Sequence, residues 1–248
     1  MAVKLETPGR PHDEPRRVAA MFGRIAHRYD LLNRLLSLGL DRRWRALAAG
    51  LTYLQPGDRA LDVCTGTADL AFELKKRVGA TGQVAGLDLT RQMLLIGREK
   101  VVARRDRGLD LHQGDAMRLP YRDHSFRAAT MAFGGRNVPD LGGAFCEMAR
   151  VVTPGGRVVF LELNRPTAWG FRHLFDLYFH TISPFVGGLI SGDRAAYQYL
   201  PRSVDQFESV AEIKTLMEKA GMVDVRVHWR MFGVAVIHAA TVVDTNPG

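Results

Sequence analysis

The sequence predicts an α/β fold, with a largely parallel β-sheet and helices on both faces. From Gly57 onward, short β-rich runs alternate with helical patterns, which is typical of parallel strands joined by helices. The first apolar run ends in a small-residue turn, Cys64-Thr-Gly-Thr-Ala68, that opens a helix. Two β-rich runs follow the last helix with a short turn between them, so we expect an antiparallel hairpin at one edge of the sheet.

A helical region precedes this alternation. Apolar side chains recur at helical spacing near its start: Val18, Met21, Phe22, Ile25 and Tyr29. This spacing predicts an amphipathic helix over about residues 14–28. A leucine-rich segment follows at residues 31–40, and a second helix is indicated around Trp44. We therefore expect residues 1–52 to form a helical extension that packs as a lid on a domain of residues 53–248.

The alternating part and the closing hairpin predict seven strands, at residues 59–64, 83–88, 109–112, 126–132, 157–163, 223–229 and 233–242. Local signals set the helices between them. Thr90 is expected to cap a helix that runs to Arg104, and Pro139 to stand at the start of the next one. Ser209 with Glu212 forms a capping box that opens the last helix.

Composition limits the class of protein. The chain has 248 residues, 46% of them hydrophobic, which suffices for one substantial core. Its two cysteines, Cys64 and Cys146, show no zinc-site spacing, so we expect no disulfide and a reducing, cytoplasmic compartment. Residues 1–17 are polar and lack the apolar core of a signal peptide. No later run reaches the roughly 18 apolar residues that a membrane span needs.

The formal net charge of +8 favours contact with an anionic partner. Nucleic acid and an acidic membrane surface both fit this charge. Because the basic residues are scattered, as in Arg42-Arg43 and Arg104-Arg105, an ordinary solvated surface fits it equally well. Charge alone therefore does not select a partner.

Acidic residues stand where successive predicted strands end. Asp62 lies in the first strand, ahead of Gly66 and Thr67 in the turn. Asp88 ends the second strand, and Asp115 follows the third. The carboxyl ends of parallel strands meet at one edge of a sheet, where open α/β sheets bind ligands. At that edge, an acidic residue about 20 positions after a glycine turn can bind a ribose diol.

This pattern favours a cationic nucleoside over a phosphate-bearing dinucleotide. A pyrophosphate needs a glycine-rich turn without a neighbouring carboxylate, whereas here Ala68 replaces one glycine and Asp69 follows at once. Carboxylates favour the sulfonium and ammonium charges of S-adenosylmethionine. Asp88 would bind its ribose and Asp115 would accept from its adenine amine. S-adenosylmethionine is therefore the expected cofactor.

Motifs along almost the whole chain carry a resemblance to one family. They include Asp62-Val-Cys-Thr-Gly-Thr-Ala-Asp69, Gly86-Leu-Asp88, Gly114-Asp-Ala116, Ala132-Phe-Gly-Gly-Arg-Asn-Val138 and Tyr197-Gln-Tyr-Leu200. The chain resembles the class I S-adenosylmethionine-dependent methyltransferases and, within them, the ubiquinone/menaquinone biosynthesis C-methyltransferase family (UbiE/MenG). The run after the fourth strand is the motif most specific to this family. Many relatives have Gly at Ala68 and Ser at Ala132, so these two positions depart from its pattern.

The resemblance implies a Rossmann-like sheet of seven strands with the last strand antiparallel. It also implies C-methylation of a reduced polyprenyl quinol, either demethylmenaquinol or the ubiquinol precursor. Cys64-Thr65 together with Ala68 resembles the menaquinone branch more than the ubiquinone branch. Together with the acidic pattern, the resemblance gives the expected cofactor-binding residues: Asp62, Gly66, Thr67, Asp88, Asp115 and Ala116.

The resemblance also implies that Arg136 and Asn137 face the quinol, and we add Tyr29 as a third expected catalytic residue. A quinol hydroxyl has a pKa of about 10, and its ring carbon becomes a good nucleophile as that proton leaves. Arg136 stays protonated, so we expect it to stabilise the developing phenolate directly or through a water. Asn137 would orient that oxygen, and Tyr29 would join the same network. Asp30 or Glu162 is expected to receive the proton.

Several of these side chains also have a purely structural interpretation. Arg136 fits a salt bridge that anchors its loop, and Tyr29 fits the end of an apolar helical stripe. Cys64 fits a small buried side chain inside the first strand. Three residues share one helical face: His173, Asp176 and His180. Because no further ligand accompanies them, we expect no metal site.

An apolar, aromatic insert at about residues 167–204 is the expected site of the acceptor's tail. Such a surface over the acceptor pocket would admit a polyprenyl chain, although it also fits core packing or a homodimer face. A lipid-like acceptor implies transient contact with a membrane surface. We therefore expect a cytoplasmic protein that is peripheral on the inner face of the cell membrane.

Three other functions fit the expected fold. A nucleic-acid methyltransferase would suit the positive charge, but the chain lacks an Asn/Asp-Pro-Pro-aromatic run after the fourth strand and a Pro-Cys nucleophile. A scaffold module would bind the cofactor without transferring its methyl group. A methyltransferase acting on another phenol or a sterol is the nearest alternative. We expect no nucleic-acid partner.

Overall fold

The computed structural model describes three parts of the chain: residues 15–166, 169–182 and 201–243. Two helices precede the sheet, α1 at Pro15–Leu36 and α2 at Leu40–Gly50. Helix α1 is longer than predicted because the leucine-rich segment continues its apolar stripe, with Leu32 fully buried. It is closed three residues after Leu36 by Gly39, whose φ is +74° and whose N–H donates to the carbonyl oxygen of Arg34 at 2.7 Å.

Seven strands form one sheet: β1 Arg59–Val63, β2 Gln83–Asp88, β3 Leu109–Gln113, β4 Phe126–Ala132, β5 Val152–Leu163, β6 Met222–Arg230 and β7 Ala235–Val242. Their order is β3-β2-β1-β4-β5-β7-β6. Strand β7 runs antiparallel to both neighbours, and the other pairings are parallel. This confirms the predicted Rossmann-like sheet and the hairpin at its edge. Strand β5 begins earlier than predicted because Val152 pairs with Phe126 ahead of a register shift.

The remaining described helices are α3 Asp69–Val78, α4 Arg91–Arg104, α5 Leu141–Val151, α6 Trp169–Leu177 and α7 Val210–Lys219. The predicted capping box opens α7: Ser209 Oγ accepts from the Glu212 N–H at 3.3 Å, and the Glu212 carboxylate accepts from the Ser209 N–H at 2.7 Å. Thr90 takes the N-cap position of α4, although its side chain forms no capping hydrogen bond in the described structure. Helix α5 is capped by Asp140, one residue after Pro139.

Buried side chains cover both faces of the sheet. The predicted inner face of α5 is buried throughout: Leu141, Ala144, Phe145 and Met148. Phe145 packs edge-to-face on Phe160 of β5, with ring centroids 5.3 Å apart. On the other face, Trp44 and Ala48 of α2 join the cluster formed by α3 and β1. Helix α1 packs on α4. Among the helices of the described ranges, none is long and apolar enough to cross a membrane.

Candidate active site

Two adjoining cavities open at the carboxyl ends of the central strands. The smaller, of about 120 Å³, is here called the polar cavity, and its wall includes Gly66, Asp88, Gly114, Asp115, Ala116, Ala132 and Asn137. The larger, of about 420 Å³, is lined mainly by apolar side chains, many of them from α1 and α6, and is called the apolar cavity. Phe22, Tyr29 and Phe133 line both cavities and form a partition between them.

Asp88 ends β2 and is fixed there by two backbone hydrogen bonds. Its Oδ2 accepts from the Gly66 N–H and its Oδ1 from the Thr90 N–H, each at 2.8 Å. Gly66 reaches this contact with a φ of +56°, a backbone region that favours glycine. Burial raises the pKa of Asp88, and the two backbone hydrogen bonds oppose that shift. The predicted neighbours of a ribose therefore meet in one wall of the polar cavity.

Asp115 and Ala116 lie in another part of this wall, just after β3. Asp115 is exposed, and its Oδ1 accepts from the Met117 N–H at 2.9 Å. Its Oδ2 takes no part in this hydrogen bond. Ala116 is buried. The polar cavity thus has carboxylates of two strand ends, Asp88 and Asp115, around a small-residue floor.

Asp62 and Thr67, both described, lie outside the walls of the two cavities. Asp62 is 1% exposed, and its carboxylate accepts from Thr65 Oγ1 at 2.6 Å and Thr130 Oγ1 at 2.7 Å. Burial raises the pKa of Asp62 to about 6. Asp62 therefore braces β1 against β4 behind the glycine turn. Contact of these two residues with the cofactor remains a prediction.

Thr67 connects the glycine turn to α1. Its Oγ1 donates to Asp30 Oδ1 at 2.6 Å. Lys100 of α4 joins the same cluster, with its Nζ 2.5 Å from Asp30 Oδ2, 2.8 Å from Asp69 Oδ1 and 3.0 Å from the Thr67 carbonyl oxygen. These contacts hold α1 beside the polar cavity. Asp30 is one of the two predicted proton acceptors. It is not among the described residues that line the apolar cavity.

Arg136 lies in a 3₁₀ turn after β4 and lines the apolar cavity. Its buried guanidinium forms an ion pair with the carboxylate of Glu162 on β5. The Leu163 N–H also donates to Glu162, at 2.9 Å. Burial raises the pKa of Glu162, and Arg136 opposes that shift. The structural salt bridge is thus present, and it fixes Arg136 in the cavity wall, while Glu162 stands behind it.

Asn137 does not share the cavity of Arg136. It lines the polar cavity, on the other side of the partition, so the expectation that both side chains face one acceptor remains a prediction. Both residues belong to the same short 3₁₀ turn, Gly135–Asn137. Tyr29 is half-buried in the partition, packs edge-to-face on Phe22 at 5.9 Å, and has a pKa raised by burial.

Two functional candidates in α2 escaped the sequence analysis. Asp41 and Arg45 form a buried ion pair, and both line the apolar cavity. Ser37 Oγ donates to Asp41 Oδ1 at 2.9 Å, and the Arg45 guanidinium lies 5.0 Å from the ring centroid of Phe133. Their signal was an i, i+4 charged pair on the same helical face as Trp44, a face that is otherwise apolar.

The helical insert supplies much of the apolar wall. Phe175 and Phe179 are buried and stacked, with centroids 4.8 Å apart, whereas Leu177 and Ile182 are exposed at the rim. The rest of the predicted insert, including Tyr197-Gln-Tyr-Leu200, lies outside the described residues.

The residues considered as metal ligands have other partners. Arg165 binds Asp176 at 2.8 Å, and His180 Nε2 lies 2.9 Å from Asp205. In residues 15–166, 169–182 and 201–243, no three His, Cys, Asp or Glu side chains form a group suited to a metal ion. Cys64 follows β1 rather than lying inside it, with a φ of +55°, and lines the polar cavity.

The polar cavity fits S-adenosylmethionine better than a nucleotide phosphate, because carboxylates rather than cations surround it. Ala68, at the N-cap of α3 with a φ of +70°, is followed at once by Asp69, which would repel a phosphate. The sheet order with a reversed β7, together with Asp88 held beside the glycine turn, defines a class I S-adenosylmethionine-dependent methyltransferase.

Comparison with known proteins places the chain within this class. The model of the ubiE/COQ5 methyltransferase family matches residues 11–242, and the chain belongs to that family. It is 46% identical to the demethylmenaquinone methyltransferase of Thermus thermophilus over 220 residues, covering 88% of this chain and 98% of the relative.

Other comparisons agree with this assignment. The chain is 40% identical to the demethylmenaquinone methyltransferase of Bacillus cytotoxicus over 222 residues, covering 90% of this chain and 94% of the relative. Among solved structures, a SAM-dependent methyltransferase from Aquifex aeolicus has a similar fold, with a TM-score of 0.58 and 19% identity over 77% of this chain and 85% of that one.

Proposed function

We propose that this methyltransferase transfers a methyl group from S-adenosylmethionine to a ring carbon of a reduced polyprenyl quinol, most directly demethylmenaquinol. The observation that carries the proposal is the contact between a polar cavity and an apolar cavity across the partition of Phe22, Tyr29 and Phe133. A charged donor and a lipid-like acceptor need such different surroundings next to each other. The names of the similar Thermus and Bacillus enzymes support the quinol as acceptor.

The donor is assigned to the polar cavity. Asp88 would bind the ribose diol, Asp115 and Ala116 the adenine, and Gly66 would give the donor close access to the backbone. Asp62 and Thr67 support this wall from behind through their hydroxyl–carboxylate hydrogen bonds. When bound, S-adenosylmethionine supplies an electrophilic methyl group on its sulfonium.

The quinol ring is assigned to the inner end of the apolar cavity, near Arg136. A guanidinium held rigidly by Glu162 stabilises negative charge on a quinol oxygen without reorganising. Tyr29 in the partition would donate to the same region, and burial raises the pKa of its hydroxyl. Asn137 acts from the donor side of the partition. The apolar walls at the inner end of the cavity would limit water there and hold the two reactants in line.

The tail and the membrane are assigned to the rim of the apolar cavity. Leu38, Leu177, Ile182 and Met231 line this cavity and are also exposed. An isoprenoid chain leaving the cavity would run over these side chains toward a bilayer, and the net charge of +8 favours an anionic surface. We therefore propose a cytoplasmic protein in transient contact with the membrane. A homodimer formed through the rim is the alternative, and sedimentation with and without anionic vesicles separates the two.

The decisive assay uses purified protein, methyl-labelled S-adenosylmethionine and chemically reduced demethylmenaquinone. The benzoquinol precursor of ubiquinone and a tailless simple phenol serve as parallel acceptors. We expect label in the menaquinol product, with a smaller yield from the benzoquinol. Absence of label from both quinols, with label in another phenol, would replace the proposed acceptor. Transfer of the labelled methyl group to RNA or DNA at physiological salt would show that the acceptor is a nucleic acid instead of a quinol.

A further inference from the structure

The wall of the apolar cavity contains a single carboxylate among the described residues, that of Asp41. The two carboxylates that the sequence offered as proton acceptors have other positions. Asp30 binds Thr67 and Lys100 beside the polar cavity, and Glu162 stands behind Arg136. A base for the acceptor must lie within hydrogen-bond reach of the proton it removes. Asp41 is the described carboxylate with that access.

Asp41 is held firmly but keeps room for another hydrogen bond. It is 3% exposed, its Oδ2 pairs with Arg45, and its Oδ1 accepts from Ser37 Oγ at 2.9 Å. A carboxylate has about four lone-pair sites on its two oxygens. Two of them are used by these partners. A quinol hydroxyl that enters the cavity can therefore donate to Asp41 without displacing either one.

Resting on the proposed function, we propose that Asp41 is the proton acceptor of the methyl transfer. The quinol O–H bond breaks first and its proton moves to a carboxylate oxygen of Asp41, and the ring carbon of the quinolate then forms its bond to the methyl group as the methyl–sulfur bond breaks. The ring then loses the hydrogen of the methylated carbon, and the oxygen regains a proton. In sum, a ring C–H is replaced by C–CH₃, the sulfonium becomes a neutral thioether, and one proton is released.

The electrostatics of the Asp41–Arg45 pair favour this transfer. Before it, the buried charges are the carboxylate of Asp41 and the guanidinium of Arg45, with a neutral quinol beside them. After it, Asp41 is neutral and Arg45 faces the quinolate. One buried ion pair replaces another, so no net charge is created in a site where isolated charges are costly.

The other charged and titratable groups that line this space cannot take over the role. Arg45 and Arg136 are cations that stabilise the product anion. Tyr29 faces the cavity from α1, and burial raises its pKa. Tyr178 follows α6, and its hydroxyl already donates to the Leu36 carbonyl oxygen at 3.0 Å. Both tyrosines stay protonated near neutral pH and act as donors.

The test compares Asp41→Asn and Asp41→Glu with the wild-type enzyme, using labelled S-adenosylmethionine and reduced demethylmenaquinone from about pH 6 to pH 9.5. We expect Asp41→Asn to lower kcat by about 100-fold or more, with little change in the KM for quinol. Its residual rate should rise about tenfold per pH unit, because only preformed quinolate then reacts. Asp41→Glu should restore most of the rate and the wild-type pH profile.

Controls separate this role from a structural one. Asp123→Asn makes the same chemical change at a carboxylate whose side chain is 64% exposed, and it should leave all parameters unchanged. If Asp41→Asn does not fold because Arg45 is left unpaired, the double variant Asp41→Asn, Arg45→Met removes both charges and takes the same pH test. If the wild type is active and the folded Asp41→Asn variant has the same pH profile as the wild type, Asp41 is not the proton acceptor. An inactive wild type overturns the proposed function instead.

Discussion

Thr67 of the glycine turn donates a hydrogen bond to Asp30 of α1, with Oγ1 and Oδ1 2.6 Å apart. The two residues are far apart in the sequence, and Lys100 completes the contact from α4. The turn beside the polar cavity and the helix that supplies Phe22 and Tyr29 to the partition are thus one connected unit. Order in the donor site depends on the position of α1.

Asp30→Ala tests this connection. The variant loses the hydrogen bond to Thr67 and the ion pair to Lys100, so we expect S-adenosylmethionine to bind roughly 5- to 30-fold more weakly, from about 1–2 kcal/mol of lost contacts. Calorimetry measures the affinity, and hydrogen exchange measures the protection of α1. Lys76→Met breaks an exposed pair with Glu73 and serves as the control. Unchanged affinity and unchanged protection of α1 would show that the contact is incidental.

Arg136→Ala should reduce turnover by about 100- to 1000-fold while cofactor affinity stays the same. The variant removes the cation that stabilises the quinolate and leaves Glu162 buried without its partner. Arg136→Met combined with Glu162→Gln avoids that unpaired charge and should be equally slow but better folded. Arg127→Ala, at an exposed position of β4, is the matched control. A fully active Arg136→Ala enzyme would remove Arg136 from the mechanism.

The stability of the fold should respond to pH through two buried groups with opposite effects. Burial raises the pKa of Asp62 to about 6, so the folded state binds a proton that the unfolded state lacks between about pH 4 and 6. This contribution to stability grows as pH falls. Burial lowers the pKa of His238 to about 4, so the unfolded state binds the extra proton between about pH 4 and 6.5. That contribution shrinks as pH falls.

Because the two contributions oppose each other, Asp62→Asn should make the protein lose stability more steeply on acidification, and His238→Gln should make it lose less. Each effect is at most about 3 kcal/mol. Urea unfolding followed at pH 4.5, 5.5 and 7 measures both variants against the wild type. If the free energy of unfolding changes with pH equally in all three proteins, neither Asp62 nor His238 binds a different number of protons in the folded and unfolded states over this interval.

Shortening the isoprenoid tail tests the apolar cavity. Each buried methylene contributes about 0.8 kcal/mol, so removal of the whole tail should weaken quinol binding at least 100-fold. The affinity for S-adenosylmethionine, measured by calorimetry, should not change. Phe175→Ala removes part of the wall of the apolar cavity and should weaken the binding of the tailed quinol more than that of the tailless one. Val102→Ala, at an exposed site on α4, is its control. Equal affinity for both quinols would exclude a tail site there.

The sheet was predictable because its signals are local. Apolar runs, the glycine turn and the capping box at Ser209 each depend on residues close in sequence, and the structure has them where expected. The predicted end of α1 near residue 28 was wrong because leucine favours a helix, and the helix continues through the leucine-rich segment to Leu36. The local signal for its end is Gly39, which takes up a positive φ just beyond it.

The site was less accessible to sequence reasoning. Asp88, Gly66 and Asp115 meet because parallel strands bring their carboxyl ends together, which the strand pattern implies. The links between Thr67 and Asp30, and between Arg136 and Glu162, join distant segments through side-chain geometry that no spacing encodes. Arg136 and Asn137 are adjacent in sequence yet line different cavities, which their spacing alone does not indicate.

Two of the three side chains in the partition, Phe22 and Tyr29, come from α1, and the third, Phe133, follows β4. Withdrawing α1 would remove part of the wall of the polar cavity and part of the wall of the apolar cavity at the same time. A movement of this helix would therefore change the surroundings of both reactants together. We therefore expect the binding and release of the donor and of the acceptor to be coupled through the position of α1.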